Sequence, residues 1–183
     1  MTALTIYSDR DASKVVRHTE DHAEVVTALA AIGIPFARWQ ADAVLAADAS
    51  PDAVMAAYQK EIDALNAKYG FKSMDVVSMH PEHEQASIAR SKFLSEHTHS
   101  DFEIRFFVDG MGAFYIHAKD QVYKVVCTAG DLIELPADTT HWFDMGARPH
   151  FKAIRFFTEP DGWVGHFTGS EIAKKYPAFE TGL

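Results

Sequence analysis

The chain has 183 residues and a formal charge of −9, from 17 basic and 26 acidic side chains; 48% of it is hydrophobic and 23% charged. That length fits one domain, large enough to fold without a staple, and an acidic balance with no basic patch argues against nucleic acid or an anionic membrane as partner. The single cysteine, Cys127, excludes an internal disulfide and a multi-cysteine zinc site, and no apolar run reaches the roughly 18 residues of a spanning helix.

The opening MTALTIYSDRDASK has no basic segment followed by an apolar core, so no signal peptide is read there and a cytoplasmic location is expected. Residues 1–72 read as mostly helical. Thr19 is expected to cap a first helix, with Glu20 and Asp21 at its N-terminal pole. Val25, Val26, Leu29 and Ile32 form its stripe, and Gly33 ends it. Ser50-Pro51 opens a second helix, striped by Val54, Met55, Tyr58, Ile62, Leu65 and Tyr69 and stopped by Gly70. A third is expected over 84–93. Short strands are expected at 4–7, 36–40 and 75–78.

From residue 101 the runs EIRFFV, AFYIHA, VYKVVC, DLIELP, HWFDM and FKAIRFF are separated by turn-like segments, the pattern of an antiparallel sandwich or barrel. D-G-M-G (109–112) reads as a hairpin turn between the first two. The expectation is a single domain over 1–183, with a helical part over about 1–93 packed on a barrel core over about 94–160.

Chemistry concentrates in Glu96-His97-Thr98-His99-Ser100-Asp101-Phe102-Glu103. In an extended chain His97, His99 and Glu103 share a parity, so one strand can present all three to one interior. His141 arrives on a later strand beside Trp142-Phe143. Three imidazoles and one carboxylate suit iron, nickel, manganese, cobalt, copper or zinc. The spacing H-x-H-x3-E-x6-G (His97, His99, Glu103, Gly110), followed by G-x5-P-x4-H (Gly130, Pro136, His141), resembles the two-part signature of the cupins. Three departures, Ser91, Asp138 and Met145, fall on turn or flanking positions rather than on ligands. The resemblance implies a mainly β, jelly-roll-like double-stranded β-helix.

The likeness narrows further. ALTIYS, FARWQAD (36–42), AAYQKEID (56–63), KFLSEHTHSDFEIRFFVDG (92–110), PADTTHWFDMG (136–146), AIRFF (153–157) and GWVGHFTG (162–169) together resemble the bacterial acireductone dioxygenases over nearly the whole chain. That resemblance implies one Fe(II) or Ni(II) per chain on His97, His99, Glu103 and His141. It also implies a substrate, 1,2-dihydroxy-3-keto-5-methylthiopentene from methionine salvage, that chelates the metal as a dianion and reacts with O2. The iron form would yield 2-keto-4-methylthiobutyrate and formate; the nickel form, methylthiopropionate, carbon monoxide and formate. A monomer is expected. Phe102 stands where relatives commonly carry an acidic residue linked to relaying changes around the metal, so no such relay is expected here.

Other side chains follow partly from parity and partly from the resemblance. Arg105 lies two residues beyond Glu103 and aims into the same interior; the resemblance gives it the stabilisation of the dianion. In FKAIRFF, Lys152 marks the solvent side, which puts Arg155 inside, as a substrate contact or a structural ion pair. Phe93, Phe143 and Trp163 are either substrate wall or core. Glu96 is either an aid to metal incorporation, as the resemblance implies, or a solvated carboxylate. His18, His22, His80, His83 and His150 read as surface residues; His117 and His166 have no assignable role. Cys127 reads as a small buried hydrophobe. Two other readings stay open: a zinc or manganese isomerase or hydrolase on a cupin scaffold, and a non-catalytic cupin that binds a small ligand.

Overall fold

The structure is a computed structural model describing residues 1–40, 43–46 and 48–180; Ala41 and Asp42 of the FARWQAD run lie outside them. Its elements in order are β1 (Ala3–Ser8), β2 (Val15–Thr19), α1 (His22–Ala30), β3 (Phe36–Arg38), α2 (Pro51–Ala57), α3 (Gln59–Tyr69), β4 (Ser73–Met79), α4 (Ala86–Phe93), β5 (His97–Thr98), β6 (Glu103–Ala118), β7 (Gln121–Thr128), β8 (Asp131–Leu135), β9 (His141–Asp144), β10 (His150–Phe157) and β11 (His166–Phe167), then a 3-10 turn, Ile172–Lys175. Among the described residues no helix is long and apolar enough to cross a membrane.

The strands form two layers that share β6. One runs β11-β5-β9-β6-β7-β1-β2; the other places β10 and β8 on either side of β6, with β4 beyond β10 and β3 beyond β8. Strand β6 serves both because it bends. D-G-M-G is therefore not a hairpin turn but the middle of a 16-residue strand. Gly110 sits there at φ +68, beside a register shift between Lys152 and Ala153. A left-handed glycine at a bulge kinks a strand without ending its pairing. A Cβ at Gly110 would run into the His150 backbone, so the tight approach of β10 also requires glycine. The true hairpin is at Lys119 and Asp120, both with positive φ (52° and 58°), as a type I′ turn demands.

Three apolar clusters explain the texture of the sequence. Between the layers lie Leu4, Ile6, Phe107, Phe114, Ile116, Val125, Ile133 and Phe143, closed by Val25 and Leu29 of α1. Ile104, Phe106, Leu132, Ile154 and Phe156 face outward but are covered by Val54, Tyr58, Ile62 and Leu65 of α2 and α3. Ala113, Tyr115 and Trp142 are covered by Tyr176 and Phe179. With both faces of β6 covered, EIRFF is apolar-rich without alternation, while its parity still divides interior Glu103, Arg105 and Phe107 from outer Ile104 and Phe106.

The N-terminal third departs from the helical expectation. β1 and β2 occupy its start, because Leu4 and Ile6 alternate inward and β1 pairs along β7. Asp21, not Thr19, caps α1, its side chain accepting from Glu24 N; Thr19 ends β2 and its hydroxyl accepts from Asp21 N. Ser50 caps α2 as expected, but the helix breaks at Tyr58, whose ring is buried 5.0 Å from Phe106. Gly70 closes α3 in the left-handed region.

Candidate metal centre

The four candidate ligand side chains come from β5 (His97), the segment directly after it (His99), β6 (Glu103) and β9 (His141). β5 and β9 pair so that His97 and His141 are direct partners, and Ile116 of β6 pairs with His141 on the other side. The rings of His97, His99 and His141 lie 4.5–5.4 Å apart, and one nitrogen from each falls within 4.8 Å of the others. Glu103, at the start of β6, puts Oε2 3.0 Å from His141 Nε2 and 3.3 Å from His99 Nε2. All four side chains are buried.

Each imidazole is held in one tautomer. His97 Nδ1 donates to Ser95 O at 2.7 Å, His99 Nδ1 to Val164 O at 2.9 Å, and His141 Nδ1 to Thr139 O at 2.8 Å. A carbonyl can only accept, so Nδ1 carries a proton and Nε2 is the nitrogen turned toward the cluster, the orientation found around metal-bound histidines. Without an ion, His141 and His99 turn Nε2 toward Glu103 at hydrogen-bond and ion-pair distance. Three imidazole nitrogens and one carboxylate gathered at one point form a donor set that fits a divalent transition ion in place of those protons. Burial, reinforced by the neighbouring His141, pushes His97 down to about 4, which keeps it a neutral donor. Burial opposes charge on His99, but the hydrogen bond and charge of Glu103 outweigh it and raise the pKa. Burial likewise opposes ionisation of Glu103; Arg105, with the histidines, overrides it and holds the carboxyl well below its usual range.

This cluster lines a cavity of about 380 Å³. Phe93, Phe143, Phe157, Trp163, Val164 and Phe167 supply its apolar wall, with Arg105, Arg155 and Lys92 as its cations. Phe93 and Phe143 meet edge to face at 6.2 Å. Arg105 is buried, paired with Glu103 Oε1 and stacked 4.4 Å from Phe143 and 4.8 Å from Phe114. Its Nε is buried without a partner. Arg155 lines the cavity too, and its guanidinium is tied to Asp75 by two bonds of 2.9 and 2.6 Å, which is the ion-pair alternative.

Several sequence expectations change here. Lys152 is buried, not solvent-facing, because Ala43–Ala46 and Asp109 line a second hollow with it. Glu96 is not solvated: it is 4% exposed, accepts from Thr168 Oγ1 at 2.7 Å and faces His117 Nδ1 at 3.1 Å, and does not line the cavity. His117 thereby gains a place, bridging Glu96 and Asp9. His166 is exposed, while its neighbour Phe167 lines the cavity. Phe102 packs on Tyr69 of α3, with ring centres 5.5 Å apart. Sequence reasoning missed Asp101, which is buried and fully hydrogen-bonded, and the carbonyls of Ser95, Thr139 and Val164; backbone acceptors leave no residue-type signal.

Comparison with known proteins agrees with this geometry. The sequence profile of the ARD/ARD′ family matches residues 3–165. The chain belongs to the acireductone dioxygenase family. It is 52% identical over 181 residues to the acireductone dioxygenase of Parvibaculum lavamentivorans, covering 99% of this chain and 98% of that one. It is 50% identical to that of Aquifex aeolicus, covering 98% and 97%. Among solved structures, the acireductone dioxygenase of Bacillus anthracis, described with a cadmium ion in its active center, superimposes with a TM-score of 0.79 at 27% identity, covering 91% of this chain and 98% of that one. The cupin barrel expected from the sequence is thus the observed fold, and the family's metal dependence matches the donor set.

Proposed function

We propose that this family member cleaves 1,2-dihydroxy-3-keto-5-methylthiopentene with O2, using one Fe(II) or Ni(II) ion held by His97, His99, Glu103 and His141. The carrying observation is the convergence of three Nδ1-protonated imidazoles and Glu103 on one point of an apolar cavity beside a buried arginine. When bound, an ion held by these four side chains would leave two positions for a chelating enediolate and would act on it as a Lewis acid.

The chain's own residues provide the rest. Arg105 favours the substrate dianion, because an opposite charge in a buried site stabilises the ionised form. Phe93, Phe143 and Trp163 take the methylthio end and exclude water from it. Arg155, anchored by Asp75, adds positive potential at the wall without being free to move. Glu96 acts on metal incorporation from outside the cavity, through the position of β5. α1, α2 and α4 each contact barrel strands, which supports a single domain over 1–183. A lone buried free thiol is compatible with a reducing cytoplasm.

The test is metal quantification with oxygen uptake. Purified protein loaded with Fe(II) should hold one ion per chain and consume O2 only with the acireductone present. Loading with Ni(II) should release carbon monoxide. Full occupancy and turnover in His99→Ala would overturn the ligand assignment, and turnover with zinc alone would favour the isomerase or hydrolase reading.

A further inference from the structure

We propose that Asp101 is a positioning residue: its carboxylate clamps the loop 158–165 over the metal-ligand segment, and the loop's Val164 carbonyl in turn holds His99 in its metal-binding tautomer. The inference rests on the metal-centre reading given above.

Asp101 lies between His99 and Glu103 and is 5% exposed, yet it does not line the cavity. Its Oδ1 accepts from Phe102 N at 2.7 Å and from Thr158 Oγ1; its Oδ2 accepts from Thr158 N at 2.6 Å and Glu159 N at 2.8 Å. Three of these four donors belong to the residues that leave β10. Charge-assisted bonds to backbone N–H are among the stronger hydrogen bonds, so the carboxylate fixes where the loop begins. The loop then passes directly over it. A Cβ on Gly162 would lie 3.0 Å from Asp101 Cβ and nearer still to Oδ2. Only a residue without a side chain fits there.

From that anchor the loop folds back on itself, Gly162 N donating to Glu159 O at 3.2 Å and Val164 N to Asp161 O at 3.0 Å. This turn delivers Val164 O to His99 Nδ1. The three histidines differ here in a telling way. His97 and His141 each donate to a carbonyl two residues back in their own chain segment; His99 depends on an acceptor 65 residues away. Its tautomer is therefore the one that a distant loop sets. The same loop contributes Trp163, Val164 and Gly165 to the cavity wall.

Asp101→Asn replaces one acceptor oxygen with a donor, and Gly162→Ala attacks the same contact from the loop side. Two readouts apply, both without turnover: hydrogen exchange in the metal-free protein, and nickel-ion affinity measured by competition with a chelator. Each variant should speed exchange across 158–165 at least ~10-fold while β7 (Gln121–Thr128) keeps wild-type protection. Each should weaken nickel binding about 10- to 100-fold, the usual cost of losing a group that orients a metal ligand. The double variant should be no worse than the weaker-binding single, because both break one device. Wild-type exchange and nickel affinity in folded Asp101→Asn would overturn the proposal. So would exchange that rises equally through β7 in both variants, since that reports fold-wide loosening. A wild-type protein that takes up no nickel would sink the metal-centre reading instead, and the exchange arm would still decide the clamp.

Discussion

Arg105 and Glu103 stand two residues apart on the interior face of β6 and form a buried ion pair, leaving Arg105 Nε without a partner. One carboxylate thus serves the histidine cluster through Oε2 and the guanidinium through Oε1. A structural arginine in a sealed core would have every donor satisfied, since an unpaired buried donor costs about 1–3 kcal/mol. Arg105 also lines the cavity, where a charged substrate can interact with its guanidinium.

Arg105→Met should therefore keep its metal and lose its chemistry. All four ligands remain, so nickel or iron occupancy should stay near one per chain. Loss of a preorganised donor of about 2–4 kcal/mol lowers the rate roughly 30- to 1,000-fold. Anaerobic mixing with substrate should show the longer-wavelength dianion spectrum in wild type only. Arg105→Lys should recover little, because a point charge does not reproduce the planar fork. Near-wild-type turnover by metallated Arg105→Met would return this residue to a purely structural role.

The metal-free protein should lose stability as pH falls from about 6.5 to about 4 through His97, whose folded pKa is depressed to about 4. Between those values the unfolded chain binds a proton at this ring and the folded one does not, so stability declines with falling pH by about 1.4 kcal/mol per pH unit. The accumulated loss is about 3 kcal/mol. His99, with its pKa raised, works in the opposite sense, its contribution present at low pH and lost as pH rises. Denaturant unfolding at pH 7 and pH 4.5 should show a smaller acid loss in His97→Gln than in wild type. An equal loss in both would show that His97 is not the group responsible.

Gly112 is where the cavity wall is most sensitive to one added carbon. A Cβ there would lie 2.7 Å from Phe143 Cε2 and closer to Cζ. Phe143 also stacks on Arg105 and meets Phe93, so a shift of its ring disturbs the cavity wall. Gly112→Ala should cost about 1–3 kcal/mol, as overpacking does, and raise KM more than it lowers kcat. Thermal melting with steady-state kinetics checks both; an unchanged KM would show that Phe143 does not bound the substrate space.

The candidate ligands were legible in the sequence because motif spacing is a local property. The single strand expected to carry His97, His99 and Glu103 is interrupted at 99–102, between β5 and β6; parity within β6 alone aims Glu103 and Arg105 inward. Properties set by distant packing were not legible. D-G-M-G has the composition of a hairpin turn, and only the close approach of the His150 backbone makes Gly110 a mid-strand bend. Lys152 reads as a solvent residue until the segment at 43–46 is laid beside it. Among the described residues Val15–Thr19 pairs only with β1 and leaves Val15 and Val16 half exposed, so no buried alternation marks it as a strand.

Glu96 was legible as a residue beside the first ligand but not as a buried one, and that difference yields the last prediction. Its side chain points away from the cavity and ties Thr168 and His117 together, while its backbone carbonyl accepts from Thr168 N at 3.1 Å. Thr168 directly follows β11, which pairs His97 with Phe167, so Glu96 secures the outer edge of the ligand-bearing sheet. Glu96→Ala leaves the Thr168 hydroxyl and the His117 ring without their shared acceptor, at a cost of about 1–3 kcal/mol. Metal should still reach one ion per chain at saturation, because no ligand is lost. Recovery of occupancy by the stripped protein should be slower, since β5 must find its register before His97 can bind. Stopped-flow loading with nickel, alongside thermal melting, measures the two effects. Wild-type stability would remove the structural link, and incomplete occupancy at saturating nickel would place Glu96 among the ligands instead of behind them.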